Sequence, residues 1–369
     1  MQYEKNNPVM IIGAGLSGLR AASLLTAQGI PCRVLEARER IGGRVLSQEV
    51  VDRPDLGKFD LGPTWFWPRY EPVITELVHE LGLKTFLQYQ TGLMVTERSQ
   101  KEPPQQYALP EGAVESAVRF VGGVQVLVDA IAATLPDGII QLNTRVTSIR
   151  EKVDGTLAIE IDGGKEEIGA SAVVIAIPPR LAARNIIFKP ELSSELMVSL
   201  LSKPTWMASH AKVIAVYKSP FWREQGVSGF ATSWAGPLQE IHDASPVTGA
   251  GALFGFFGIP AGKRDELGEE SLLKLVQEQL LRLFGPFAEH PIALLCKDWA
   301  RDPVTAVAED REPLLDYPVY GPVVGSQSRD KRIFFAGTET ARAQGGHLEG
   351  ALRSADRAVS ELMEYFKNE

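Results

Sequence analysis

Residues Val9 to Val45 read VMIIGAGLSGLRAASLLTAQGIPCRVLEARERIGGRV, and this stretch decides the fold. The apolar run Val9 to Ile12 has the length and composition of a short buried strand. Gly13, Gly15 and Gly18 follow in G-x-G-x-x-G spacing, with Ala14 and Ser17 among them. The pattern predicts a helix from Leu16 to Gln28, stopped at Gly29, a residue common just past helix ends. A second apolar run, Cys32 to Leu35, ends at Glu36. Strand, glycine turn, helix and strand in that order make a βαβ unit for a dinucleotide. Gly13 permits the tight turn, Gly15 lets a pyrophosphate approach the backbone, and Gly18 lets helix and strand pack closely. The helix N-terminus faces the phosphates. Glu36, with Ala37 and Arg38 behind it, stands where a carboxylate accepts hydrogen bonds from a ribose diol. Which dinucleotide binds stays open on these residues alone.

The continuation Arg40-Ile41-Gly42-Gly43-Arg44 adds a second glycine pair flanked by arginines, which brings backbone and guanidinium to the same pyrophosphate. It resembles the GG motif of the flavin-containing amine oxidase superfamily. That resemblance implies FAD, with Gly42, Gly43 and Arg44 among its contacts. Asp60 to Trp65, DLGPTW, reads by itself as a hydrophobic plug under a loop. It is similar to the family's segment beside the isoalloxazine, which implies Gly62, Thr64 and Trp65 as cofactor contacts and Trp65 as a pocket wall.

Composition bounds the rest. With 369 residues, 44% hydrophobic and 23% charged, the chain suits about two domains around a large core. A net charge of −8 without a basic cluster argues against a nucleic-acid partner. The two cysteines, Cys32 and Cys296, sit in apolar strand-like runs and exclude a disulfide framework or a cysteine metal site. His210, His242 and His290 lack metal-ligand spacing and read as structural or surface residues, so no metal is expected. The polar leader MQYEKNNP, the ending EYFKNE and the want of a long apolar run point to a soluble cytoplasmic protein without a membrane partner.

A helix is expected from Glu71-Pro72 to Leu81-Gly82, with Val73, Leu77, Val78 and Leu81 inward. Residues 83–111, with Pro103, Pro104 and Pro110, read as an irregular excursion into a second domain or cap. Another helix follows Gly122-Gly123. Short strands are expected at Ile139 to Leu142, Val146 to Glu151 and Leu157 to Ile161, joined by Asp-Gly turns, then a buried strand from Ala172 to Ile177. A β-meander inserted among parallel strands is characteristic of FAD domains built like glutathione reductase. The family resemblance implies that Val146 holds the adenine through its backbone.

Ala211 to Tyr217 reads as a strand apolar on both faces, and Lys212 shares a face with Ile214 and Val216. An ammonium in an apolar layer is costly unless paired or neutral, so a lowered pKa and a functional position are expected. Lys212 to Trp222, KVIAVYKSPFW, looks like the family element whose lysine holds a water against flavin N5, which implies Lys212 as the near-catalytic side chain. Trp206, Phe254 and Phe256 are candidate pocket walls.

FAGTET, from Phe335, and GGHLEGA, from Gly345, resemble the family's second flavin motif. This implies Gly337, Thr338 and Glu339 near the ribityl or pyrophosphate. Gly346, His347 and Leu348 would set a helix N-terminus against the flavin N1–C2=O edge, where its dipole stabilises the anionic reduced flavin. Monoamine oxidases place two aromatic residues before the flavin. One of those positions holds His347, and Val307 to Glu309, where the other belongs, holds none. The cysteine that binds FAD covalently in some members is also absent there, so FAD is expected to be non-covalent. His347 either replaces one wall or titrates near neutrality and alters substrate choice.

The expected architecture is α/β: a Rossmann-like FAD-binding domain of glutathione-reductase type with an inserted β-meander, and an α+β substrate domain of sheet and helices. Residues 1–82, 112–180 and 292–369 are assigned to the first, 83–111 and 181–291 to the second. The expected reaction is FAD-dependent oxidation of a small-molecule amine, by hydride transfer from its α-carbon to flavin N5. The imine is hydrolysed, and dioxygen is reduced to hydrogen peroxide. Two alternatives stay open. One is a desaturase or dehydrogenase of the same fold acting on a non-amine, against which Lys212 weighs. The other is a catalytically weak flavoprotein with a binding role.

Overall fold

The computed structural model describes residues 7–110, 112–164, 167–325 and 332–368. The boundary residue Glu111, the final residue Glu369 and most of the polar leader, residues 1–6, lie outside them. Strand β1 (Val9–Ile12) is central in a five-stranded parallel sheet, flanked by Ala172–Ile175 and β2 (Cys32–Leu35), with Ile333–Phe335 and Ile140–Gln141 at the edges. All four residues of β1 are buried, as a parallel sheet covered on both faces requires. Val9 and Ile11 pack with helix α1 (Leu16–Ala27) and the final helix Leu348–Asn368, while Met10 and Ile12 face the opposite layer. The turn between β1 and α1 is tight. A Cβ on Gly18 would lie 1.9 Å from the Gly13 carbonyl oxygen, so only glycine lets the helix approach the strand.

The opposite layer is a four-stranded sheet in the order Ile168–Ala170, Leu157–Ile161, Val146–Glu151 and Ile187–Lys189. The first three strands form the antiparallel meander, and the fourth joins in parallel. Two expectations are corrected here. Ile139 to Leu142 does not belong with the meander; Ile140–Gln141 extends the parallel sheet, because β2 offers it an open edge at Val34 N–H to Ile139 O, 2.8 Å, and Glu36 N–H to Gln141 O, 2.9 Å. Residues 181–201 also lie with the cofactor half. Phe188, Leu196 and Leu200 bury their side chains in the core shared by the meander and the parallel sheet.

The second half is a seven-stranded sheet in the order Ala293–Asp298, Ala211–Tyr217, Gly251–Phe257, Leu238–Asp243, Val227–Ser233, Leu93–Glu97 and Gln105–Tyr107. Residues 83–110, the described part of the expected irregular excursion, are not irregular: two strands extend this sheet, and Thr85–Leu87 pairs with Val118–Phe120. Pro103 and Pro104 occupy the connection between Leu93–Glu97 and Gln105–Tyr107, and Pro110 follows the second of these strands. Ala293–Asp298, assigned above to the cofactor half, is the edge strand beside Ala211–Tyr217. One face packs Val213, Ala215 and Tyr217 on the helix Glu269–Phe284. The other packs Ile214, Val216 and Phe254 on Phe59 and Leu61.

Gly18→Ala forces the β1–α1 turn open and is expected to cost about 1–3 kcal/mol of stability in urea denaturation. Gly262→Ala, inside the helix Ala261–Leu267 with nothing within 4 Å of the new methyl, is expected to stay within about 0.5 kcal/mol of the parent or exceed it.

Candidate active site

A cavity of about 360 Å3 runs from the Gly13–Ser17 turn and Glu36, past Gly42–Arg44 and Gly62–Trp65, to Lys212, Phe254 and His347. It opens at the carboxyl end of β1, where open α/β sheets take their ligands. Glu36 is buried, and its oxygens accept the Ala14 N–H at 2.7 Å and the Arg38 N–H at 2.9 Å. The two glycine motifs meet backbone to backbone. The Gly42 N–H donates to Ala14 O at 2.8 Å, and a Cβ on Gly43 would stand 3.3 Å from the Gly15 Cα. Arg38 turns to Asp302 at 3.0 Å and Thr305 Oγ1 at 2.6 Å. Thr305 and Val304 line the cavity, and no pattern in the sequence pointed to them.

Arg44 and Glu339 form a bidentate ion pair, Nη1–Oε1 2.6 Å and Nη2–Oε2 3.0 Å. Glu339 Oε1 also accepts the Trp206 N–H at 3.1 Å. Burial works against the Arg44 charge, and the Glu339 carboxylate more than restores it, leaving the guanidinium held above its usual value. Glu339, expected near the ribityl or pyrophosphate, is fully buried and turns to Arg44, because a buried carboxylate needs its donors. Gly337, Thr338, Gly346, His347 and Leu348 do line the cavity. Val146 does not: its side chain is buried with Ile149 between the sheets. Ala14, Gly18 and Ala37 are likewise outside its lining; Ala14 contributes its backbone to Glu36 and Gly42, and Gly18 the close approach of helix to strand.

Lys212 is 2% exposed. Its Nζ donates to Gly62 O at 2.9 Å and Thr64 Oγ1 at 2.5 Å, and sits 4.0 Å from the Phe254 ring centroid. Desolvation pulls its pKa down to about 7, with Asp60 opposing and Arg119 adding to the fall. Phe254 and Phe256 reach the same chamber because they lie on the strand paired with Ile214 and Lys212. Trp65 packs 5.4 Å from Phe254, and Trp206 lines the chamber with Tyr317 4.6 Å behind it. His347 stacks 5.6 Å from Trp67, edge-on to Tyr317 at 6.4 Å, with Nδ1 3.1 Å from Glu71 Oε1.

The sequence reading missed Trp67, Glu71 and Tyr317. Val307 to Glu309 holds no aromatic residue, but Tyr317, further along that stretch, stands beside both His347 and Trp206. His210 is another correction: it lines the cavity, and burial, then Arg264, keep its ring from protonating easily. Among the described residues no group of His, Cys, Asp and Glu could hold a metal, and no helix is long and apolar enough to cross a membrane.

A glycine turn at the carboxyl end of a parallel strand that opens into an aromatic chamber has the form of a dinucleotide site joined to a substrate pocket. The description "Flavin containing amine oxidoreductase" matches residues 105–363, and "NAD(P)-binding Rossmann-like domain" matches 11–81. The chain belongs to the flavin-containing amine oxidoreductase family and is a flavin-dependent amine oxidase. It is 27% identical to a probable flavin-containing monoamine oxidase A of Dictyostelium discoideum over 462 aligned positions, covering 98% of each chain. It is 26% identical to a putrescine oxidase of Kocuria rosea, covering 96% of this chain and 95% of that one. Among solved structures, cyclohexylamine oxidase from Brevibacterium oxydans IH-35A shares the fold with TM-score 0.80 at 20% identity, covering 98% of this chain and 100% of that one.

The Lys212 amine holds its proton less tightly in the folded protein, about 7 against 10.5. Between those values the unfolded chain binds more protons at this site than the native one, so the site makes stability rise with pH across that window. Lys212→Met removes the effect. The stability of the mutant relative to the parent is expected to fall by about 1 kcal/mol per pH unit through the window in urea denaturation. A constant difference would show a lysine of ordinary proton affinity.

Proposed function

We propose that the cavity holds FAD non-covalently and that the chain oxidises a small amine carrying an apolar substituent. The observation that carries this reading is the continuity of the cavity: one cleft joins the nucleotide cradle to the aromatic chamber, with Lys212 at the junction.

The donor set suits the cofactor. A Cβ on Gly15 would meet only Gly42 O, at 3.9 Å, and would otherwise project into the open cradle, so glycine there leaves room for a pyrophosphate. Ser17, Gly42 and Gly43 would surround it, and Glu36, already fixed by two N–H donors, would take the ribose diol. Gly62, Thr64, Trp65, Gly337 and Thr338 would flank the flavin, with Gly346 to Leu348 bringing the final helix's positive end towards its pyrimidine edge. Cys32 and Cys296 both lie in strands away from the cavity wall, which supports non-covalent binding.

Bound FAD would accept the hydride from the amine α-carbon and pass its two electrons to dioxygen as hydrogen peroxide, and water would hydrolyse the imine. The protein's own part is orientation, exclusion of water and electrostatics. Trp65, Trp206, Phe254 and Phe256 wall the chamber and hold the apolar substituent. Lys212, already donating to Gly62 O and Thr64 Oγ1, is divided between its charged and neutral forms near neutral pH and can hold one water by its remaining position.

The purified protein is expected to show flavin absorbance that acid precipitation releases into the supernatant. An anaerobic panel of primary, secondary and polyamines should then bleach it, with peroxide appearing on admission of air. A colourless protein that refuses added FAD overturns the reading. Lys212→Met should keep FAD and slow flavin reduction or reoxidation by about tenfold or more; unchanged rates of both half-reactions would remove Lys212 from the chemistry.

A further inference from the structure

An amine arrives at neutral pH as an ammonium, whose nitrogen has no lone pair, so some group must take a proton before a hydride can leave the α-carbon. Two carboxylates line the cavity among the described residues, Glu36 at the nucleotide end and Glu71 at the chamber. Glu71 is 1% exposed and both its oxygens are engaged, Oε2 by the Trp67 N–H at 2.7 Å and Oε1 by His347 Nδ1 at 3.1 Å. A carboxylate accepting on that side makes Nδ1 the donor, so the neutral ring carries its lone pair on Nε2. Among the described residues no protein group bonds Nε2, and the ring lines the chamber. The ring is held in place. Trp67 lies along one side, Tyr317 meets it edge-on, and the His347 backbone is tied by its N–H to Gln344 O at 3.1 Å and its carbonyl to Thr338 Oγ1 at 2.7 Å.

Resting on the amine-oxidase reading, we propose that His347 is the base that takes the proton from the substrate ammonium, with Glu71 as the positioning residue that fixes its tautomer. The substrate N–H bond breaks and the Nε2–H bond forms: ammonium and neutral imidazole become free amine and imidazolium. The Glu71 carboxylate then faces a cation and stabilises it. The charged and titratable surroundings allow this. Burial, then the Glu339 and Glu71 carboxylates, raise the Tyr317 phenol and keep it neutral. The Glu349 carboxylate, one turn away, is engaged by the Val73 and Ile74 N–H groups and Arg353. Arg44 is neutralised by Glu339. Lys212 also lines the cavity, and its Nζ is engaged by Gly62 and Thr64.

The test uses the FAD-loaded protein with nitrogen-labelled histidine and α,α-dimethylbenzylamine, an amine without an α-hydrogen that cannot be oxidised. The His347 signals are expected to show the Nδ1–H tautomer, and the Nε2 signal is expected to move as the added ammonium donates a hydrogen bond to it. A proton found on Nε2 instead of Nδ1, or an Nε2 signal that the amine does not move, overturns the proposal. In flavin reduction by benzylamine, His347→Asn should lose about a hundredfold in kcat/KM near neutral pH, and the deficit should close as pH approaches the pKa of the amine. Glu71→Gln should give a smaller deficit of the same pH dependence. A deficit constant with pH would show a structural role only and sink the assignment. If no amine reduces the flavin while Nε2 still accepts from the added ammonium, the oxidase reading fails and the base stands. If the flavin is reduced with an unaltered pH profile, the base fails and the oxidase reading stands.

Discussion

The buried ion pair of Arg44 with Glu339 is the constraint on which the site depends. It joins the end of the first cofactor motif to the start of the last, and Glu339 extends it to the Trp206 backbone. The neighbouring backbone leaves no slack. A Cβ on Gly62 would stand 2.0 Å from the Arg44 carbonyl oxygen, and the Gly62 carbonyl in turn accepts from Lys212. Cradle, chamber wall and lysine are thus coupled through four residues. Loss of Arg44 leaves the fully buried Glu339 carboxylate without its cation, an effect of about 3–5 kcal/mol, so the pair is felt as geometry as much as stability.

Register explains why a lysine is buried at all. Val213, Ala215 and Tyr217 on its strand must face the helix Glu269–Phe284, and the period of two then turns Lys212, Ile214 and Val216 towards the cofactor half. A slip of one residue would send three apolar side chains out of one core and the lysine into another. The Phe254 face at 4.0 Å offers some compensation to the protonated form, while desolvation favours the neutral one. Between them the amine is left close to balance near neutrality.

What was legible in the sequence was local. β1, the glycine turn, α1 and β2 declare themselves because periodicity, spacing and helix-stop signals agree within forty or so residues. Lys212 stood out because a charge interrupts an otherwise apolar run. Pairings made only by the tertiary fold left no such mark. Ile140–Gln141 is a two-residue edge strand, Gln105–Tyr107 is fully exposed, and Ala293–Asp298 is half-buried along its length, so none carries a clean alternation. The domain boundary moved for the same reason: Phe188, Leu196 and Leu200 choose their core by packing. Glu71 reads as an ordinary acid at a helix start, and Tyr317 as a loop aromatic, until the chain brings both to His347.

The two helix starts that meet there show how the fold keeps a positive end available to the cavity. Helix α2 (Pro72–Glu80) receives a carboxylate from the other helix, since Glu349 accepts the Val73 and Ile74 N–H groups at 3.2 and 2.8 Å. The final helix therefore turns the acid of its own first turn away, into α2, with the carboxylate fully buried. An acid at a helix start normally lies over that helix's own positive end and offsets it. Here it offsets the neighbour's, and the N-terminus of the final helix is left facing the cavity without a carboxylate of its own. Glu71, at the start of α2, completes the exchange by holding the His347 ring that precedes the final helix. Each helix start thus orders the other, and His347 is set by two rigid elements rather than by the glycine pair that leads into it.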